Sequence, residues 1–470
     1  MRTVRPLVAG AAASAAVLSV LGLTATAQAL PAGPAVLGPD PKVPLGVETA
    51  INLPACPTGT TVSSVTPTPP ATVNLVVIGN KAKLAGDWLS TGSTTFTVQC
   101  SDGSTTGSTV SVIAAPPENA AVGVGSDTIQ NVLDQFSGDY NATVKSSTAT
   151  HLYSWDATNP NTGAIGDTIN EKSGCTPIAR PDGSSAGISQ LATFQKTSDG
   201  KYYCTSYARS SRGRSSTDPA YAPGGVAFVD LAGDAVTWSA QATTNAPASL
   251  TTAQLAAIYN CTDTNWSQVG GKNAPIHAFI PQSGSGTRAF FLSAIGVATP
   301  GSCVSDDNGL LEENEGVNPV LNDPDAIFPY SIGKYIAEKF HSATCLNSTC
   351  TPNSSGIACV PSGHQNLFGC NTHGTLVLKE ISGIAPTTGT GTSTVINSSF
   401  PATFQRIVYE VVPFDPNTTD HIPGAEAGAP GGVNLETLFG ASGFVCSNSK
   451  AKTDLKNYGF LVTPLCGVTG

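Results

Sequence analysis

Hydrophobic and polar positions follow two different plans along the chain. From Leu30 to about Ala115, short β-rich runs are bounded by turn residues: Val73–Ile78, Thr94–Cys100 and Thr109–Ala114. Short strands between turn signals predict a small all-β domain over residues 30–117, with an immunoglobulin-like sandwich as the expected architecture. Pro116-Pro117 reads as a stiff linker behind it. From about Ala120 the plan changes. Ala121–Gly125 is a short apolar strand ending in glycine, and Ile129, Val132, Leu133 and Phe136 then recur at helical spacing. Thr251 and Gln254 form a capping box ahead of Leu255, Ile258 and Tyr259. Val226–Val229 and Ile407–Val412 are again β-rich. Strands alternating with helices predict an α/β domain with mainly parallel sheets over residues 118–470. That length exceeds what one core usually holds, so two lobes are expected.

The first 29 residues have the plan of a secretory signal peptide: Arg2 and Arg5, an apolar Leu7–Leu23 stretch, then Ala27-Gln28-Ala29 as a cleavage site. Its removal leaves 20 basic residues against 32 acidic ones, a net charge of −12 in place of −10. That balance argues against nucleic acid or an anionic membrane as partner. No later segment is apolar for long enough to span a membrane. Twelve cysteines, all after the signal, favour disulfides in an exported protein. Pairing of sequence neighbours gives Cys56–Cys100, Cys175–Cys204, Cys261–Cys303, Cys345–Cys350, Cys359–Cys370 and Cys446–Cys466. A zinc site from Cys345, Cys350, Cys359 and Cys370 is the alternative for those four, although no C-x-x-C pair is present.

Three segments put glycine and hydroxyl residues just ahead of a helical pattern. They are Gly125-Ser126-Asp127-Thr128, Gly183-Ser184-Ser185-Ala186-Gly187 and Ser283-Gly284-Ser285-Gly286-Thr287-Arg288. A helix N-terminus offers unpaired N–H groups and partial positive charge, and glycine lets the backbone approach a ligand, so such segments suit an oxyanion. Enzymatic readings are weaker. A G-x-S-x-G elbow needs glycine where Ser283 stands, and the six histidines form no metal-binding pattern. The run Asp306-Asp307-Asn308-Gly309 with Glu312, Glu313 and Glu315 lacks EF-hand spacing and reads as a solvated loop. A non-enzymatic protein without cofactor or metal is expected.

These segments also resemble the phosphate-binding protein of bacterial phosphate ABC transporters, a family with the two-lobed type II periplasmic-binding-protein fold. Gly183–Gly187 is similar to that family's Gly-Ser-Ser-Gly-Gly loop, Arg209-Ser210-Ser211 stands where it has Ala-Ser-Asp, and Gly284-Ser285-Gly286-Thr287 is similar to its Gly-Ser-Gly-Thr loop. Leu250–Tyr259 with Asn265-Trp266, and Asn314-Glu315-Gly316-Val317 with Asp325-Ala326-Ile327 and Tyr330, follow further motifs in the family's order, so the resemblance runs from about Val122 to Phe460. It departs where the family's anion-site Arg and Asp fall on Pro281 and Ser211. Arg209, Arg212 and Arg288 are the cations on offer instead, and Asp127 or Asp182 the proton acceptors.

The resemblance implies lobe I over residues 120–225 and 406–470, lobe II over 226–405, and a ligand between them. With the helix-start reading of the three segments, it makes phosphate or a similar oxyanion the expected ligand, bound by Ser126, Asp127, Thr128, Ser184, Ser185, Arg209, Ser210, Ser211, Ser285, Gly286, Thr287 and Arg288. An ABC permease is the implied partner, and a secreted, extracellular or cell-wall-associated monomer is expected. The alternative is an extracellular interaction protein that keeps the fold without phosphate transport, which the absence of a lipid-anchoring cysteine near the cleavage site would suit.

Overall fold

The computed structural model describes residues 42–470 apart from 48, 71–72, 87, 145–148, 161–162, 342–348, 354–355, 361–371 and 426–427. The signal segment, Cys345 and Cys370 lie outside the described residues, as do the side chains of Cys350 and Cys359.

Residues 42–113 form two antiparallel-rich sheets. One orders Lys42–Pro44, Thr105–Ile113, Gly92–Cys100 and Val62–Thr66; the other orders Thr49–Asn52, Lys81–Gly86 and Val73–Ile78. Alternation in Gly92–Cys100 sends Phe96, Val98 and Cys100 inward, where they meet Val43, Ile51, Leu84, Trp88 and Val110. The Cys56–Cys100 bridge closes this core. Val47 leaves it and packs instead with Ala120, Val122, Tyr153 and Trp155 of the following region.

That region is organised by a nine-stranded sheet. Its strands are β1 (Ala121–Gly125), β2 (Leu152–Ser154), β3 (Tyr207–Ser210), β4 (Val226–Gln241), β5 (His277–Phe279), β6 (Val304–Ser305), β7 (Ala326–Ser331), β8 (Leu376–Leu378) and β9 (Gln405–Pro413). They lie in the order β6-β5-β7-β4-β9-β3-β1-β2, with β8 also on β4. The outer pairs are parallel, as strand–helix alternation predicts, whereas β4 pairs antiparallel with β9, β7 and β8. The sheet is therefore mixed at its centre, because two long strands carry the chain between lobes. The inward residues of β4 divide accordingly. Ala227, Val229, Leu231 and Ala232 join Ile129, Leu133, Phe136, Val408 and Val412 in one core. Ala235, Val236, Trp238 and Ala240 join Leu255, Tyr259, Trp266 and Phe291 in a second.

Four helices matter for the site: α1 (Gln130–Thr143), α2 (Gly183–Leu191), α3 (Thr252–Tyr259) and α4 (Gly286–Ile295). Thr251 and Gln254 form the expected capping box at α3. Ser285 caps α4, its hydroxyl accepting from the Arg288 N–H at 3.0 Å. Disulfides join Cys175–Cys204, Cys261–Cys303 and Cys446–Cys466 as paired in sequence, and the strands Thr349–Asn353 and Gly356–Val360 set Cys350 opposite Cys359. Among the described residues no helix is long and apolar enough to cross a membrane.

Candidate functional site

The three glycine–hydroxyl segments converge where the lobes meet. Gly125 ends β1 with φ 115°, and a Cβ there would lie 2.7 Å from the Arg209 carbonyl, so only glycine lets β1 turn beside β3. The turn delivers Ser126 and Thr128. Ser211 follows β3 and is held by Ser184 at the start of α2, whose hydroxyl accepts from the Ser211 N–H at 3.0 Å. From the other lobe, the α4 segment closes on these. The Ser185 N–H donates to the Gly284 carbonyl at 3.1 Å, and Gly286 lies so near Ser184 Oγ and Ser211 Oγ that a Cβ would overlap both.

At the centre sits the carboxylate of Glu313. Its Oε1 accepts from Ser126 Oγ at 2.8 Å, Thr128 Oγ1 at 2.9 Å and Ser211 Oγ at 3.4 Å. Its Oε2 accepts from the Thr287 N–H at 2.9 Å and from Ser285 Oγ. The first three donors belong to lobe I and the last two to the α4 N-terminus, where the helix dipole favours an anion. Glu313 is 3% exposed and Glu312 5% exposed. The solvated-loop reading of the acidic run is thus corrected: Asp306 and Asp307 remain near the surface, whereas Glu312, Glu313 and Asn314 are buried.

The cation behind this carboxylate is Arg406, at the start of β9. Its Nη1 donates to Ser211 O at 2.8 Å and Thr287 Oγ1 at 3.1 Å, while Nε donates to Asp234 Oδ2 at 2.9 Å. The cations expected from sequence are engaged elsewhere. Arg209 is fully buried and donates to Ser126 O, Gly125 O and Ser154 Oγ at 2.7–2.9 Å, so it props the β1 turn from behind. Arg288 points outward to Pro281 O and Asp306, and Arg212 pairs with Asp218 while reaching Ser185 Oγ at 3.3 Å. Ser210 Oγ is turned to the Arg212 carbonyl. Of the twelve expected site residues, Ser126, Thr128, Ser211, Ser285 and Thr287 therefore bond the central carboxylate. Ser184 and Gly286 both lie against Ser211. A lone arginine before a β-rich run was the only sequence signal of Arg406.

Charge in this buried cluster is divided unevenly. Burial opposes ionisation of Glu313, but the hydrogen bond with Asp127, the charge of Arg406, and the Ser285 and Thr287 donors outweigh it and hold its pKa well below the usual carboxylate range. Burial and the Glu313 charge push Asp127 far up, so Asp127 keeps its proton and donates toward Glu313. Asp127 is therefore a donor where the sequence had suggested an acceptor. Burial also raises Asp182 to about 6 and Glu315 to about 8. Among the described residues no group of three or more His, Cys, Asp or Glu is arranged to hold a metal ion.

Residues 114–328 match a family model described as a PBP superfamily domain. No curated protein sequence matches the chain significantly. Among solved structures, the fold is similar to an ABC-type phosphate transport receptor from Vibrio cholerae, at 17% identity and TM-score 0.41, covering 73% of this chain and 100% of that one. It is also similar to a phosphate ABC transporter substrate-binding protein from Clostridium perfringens with bound phosphate, at 12% identity and TM-score 0.41, with the same coverage. Residues 114–328 thus match the model of a PBP superfamily domain, and the two cores joined by β4 and β9 give the chain the two-lobed α/β form of that fold.

Proposed function

We propose that this chain is an exported solute-binding protein whose interlobe pocket takes an inorganic oxyanion, phosphate foremost. One observation carries the reading: a buried anionic group is gripped at the lobe junction by donors from both lobes, with Arg406 behind it. Hydroxyls, a helix N-terminal N–H and an arginine are the donor types that hold an oxyanion, and the Ser285-Gly286-Thr287 motif of the phosphate-binding resemblance supplies the lobe II part. The same reading assigns residues 1–29 as a signal peptide, 30–117 as an accessory β domain and 118–470 as the binding domain. It makes the mature protein a secreted monomer with no enzymatic role and with an ABC permease as the partner to seek.

Calorimetric titration of the ligand-stripped protein with phosphate, sulfate and arsenate tests it. One phosphate per chain is expected. Thr128→Ala removes a hydroxyl that donates to the central anionic group, and a hydrogen bond to a charged group is worth ~1.5–3 kcal/mol, so its affinity should fall roughly tenfold to a hundredfold. Wild-type protein that takes up none of these anions at millimolar concentration would refute the reading.

A further inference from the structure

We propose that Glu313 is an intramolecular ligand: its carboxylate latches the two lobes together, and a free oxyanion enters by displacing it. This rests on the oxyanion reading of the pocket and adds its regulation. Five of the donors that would grip an oxyanion are already turned to Glu313. Ser126, Thr128 and Ser211 reach it from lobe I, and Ser285 and the Thr287 N–H from lobe II. The carboxylate therefore ties α4 to the β1 and β3 ends.

The segment that carries Glu313 is built to aim it. Asn314 adopts the left-handed conformation at φ 61°, which asparagine tolerates better than most residues. Its side chain donates to Thr128 Oγ1 at 3.2 Å and accepts from the Ser331 N–H at 3.2 Å. Its carbonyl accepts from Tyr330 OH at 2.6 Å and Thr372 Oγ1 at 2.9 Å. With the neighbouring residue pinned on four sides, Glu313 is directed into the cleft. The exchange is anion for anion, so Arg406 and the α4 terminus are never left facing an uncompensated site. A carboxylate offers two oxygens and a phosphate four, which gives the free ligand more acceptors for the same donors. The latch sets the concentration at which the ligand wins, because apparent affinity is scaled by the fraction of molecules whose pocket is released.

The test compares ligand-stripped wild-type protein with Glu313→Gln, each titrated with inorganic phosphate. The variant amide turns a donor toward the pocket donors and weakens the latch, so phosphate should bind about tenfold tighter or more. If both proteins bind phosphate and the variant is no tighter, the latch is overturned and the oxyanion reading stands. If neither binds, the oxyanion reading fails, and melting in phosphate-free buffer decides the latch. A lower midpoint in Glu313→Gln supports the contact, and an unchanged midpoint overturns it. Should Glu313→Gln fail to fold, Glu313→Asp keeps the charge on a side chain one methylene shorter. It should likewise bind phosphate more tightly than wild type, and equal or weaker binding overturns the latch.

Discussion

Arg406 and Asp234 form a pair that is almost wholly removed from water, and Asp234 also accepts from Ser331 Oγ at 2.9 Å and the Gly333 N–H at 3.0 Å. Removing one partner of such a pair leaves an uncompensated buried charge, which costs about 3–5 kcal/mol. Arg406→Ala should therefore lower stability by that amount in denaturant titration and also weaken phosphate binding, whereas a surface arginine would do neither. Asp127 gives a prediction of opposite sense. Since it acts as a proton donor to Glu313, Asp127→Asn keeps a donor in place and should leave melting temperature and the phosphate-to-sulfate preference nearly unchanged. A collapsed preference in calorimetry would mean Asp127 works ionised, as the sequence had suggested. The hydroxyls of the site were legible because glycine and serine before a helical pattern have a local cause. Glu313 and Arg406 were not: an acidic run and a lone arginine look alike whether solvated or buried, and only the tertiary fold turns them inward.

At the scale of elements, the approach of α4 to α2 and β3 depends on glycine. A Cβ on Gly286 would overlap Ser184 Oγ and Ser211 Oγ, which lie on the other lobe. Overpacking of this kind costs ~1–3 kcal/mol if the lobes stay together. Gly286→Ala should hence spread the cleft while each core stays folded: phosphate affinity falls about tenfold, the equivalent of 1.4 kcal/mol, and the radius of gyration in X-ray scattering rises. Retained affinity and an unchanged radius would mean that the lobes do not close on this contact. The helices themselves were readable from sequence, because the α1 stripe Ile129, Val132, Leu133, Phe136 and the α3 capping box are short-range patterns. The antiparallel centre of the sheet was not, since the partners of β4, β9 and β7, lie far away in the chain.

At the scale of the whole molecule, buried carboxylates link folding to pH. Burial raises Asp182 to about 6, Glu338 to about 7 and Glu315 to about 8, against unfolded values of about 4. Between those values the folded chain holds more protons than the unfolded one, so the stability these groups supply is complete below pH ~4 and is lost as pH rises through their folded values. Lys172, lowered by burial to about 7, acts in the opposite sense only above that pH, and His373, lowered to about 4 from 6.5, opposes the three carboxyl groups with a single proton. Melting temperature should therefore fall from pH 5 to pH 7, and a rise over that range would contradict these protonation states. The most direct measurement is a crystal structure grown with arsenate, whose anomalous signal marks the oxyanion. Arsenate should lie among Ser126, Thr128, Ser211, Ser285 and Thr287, before Arg406, with the Glu313 side chain moved out. Crystals saturated with arsenate in which Glu313 still holds those donors, with no anomalous peak beside them, would contradict the oxyanion site.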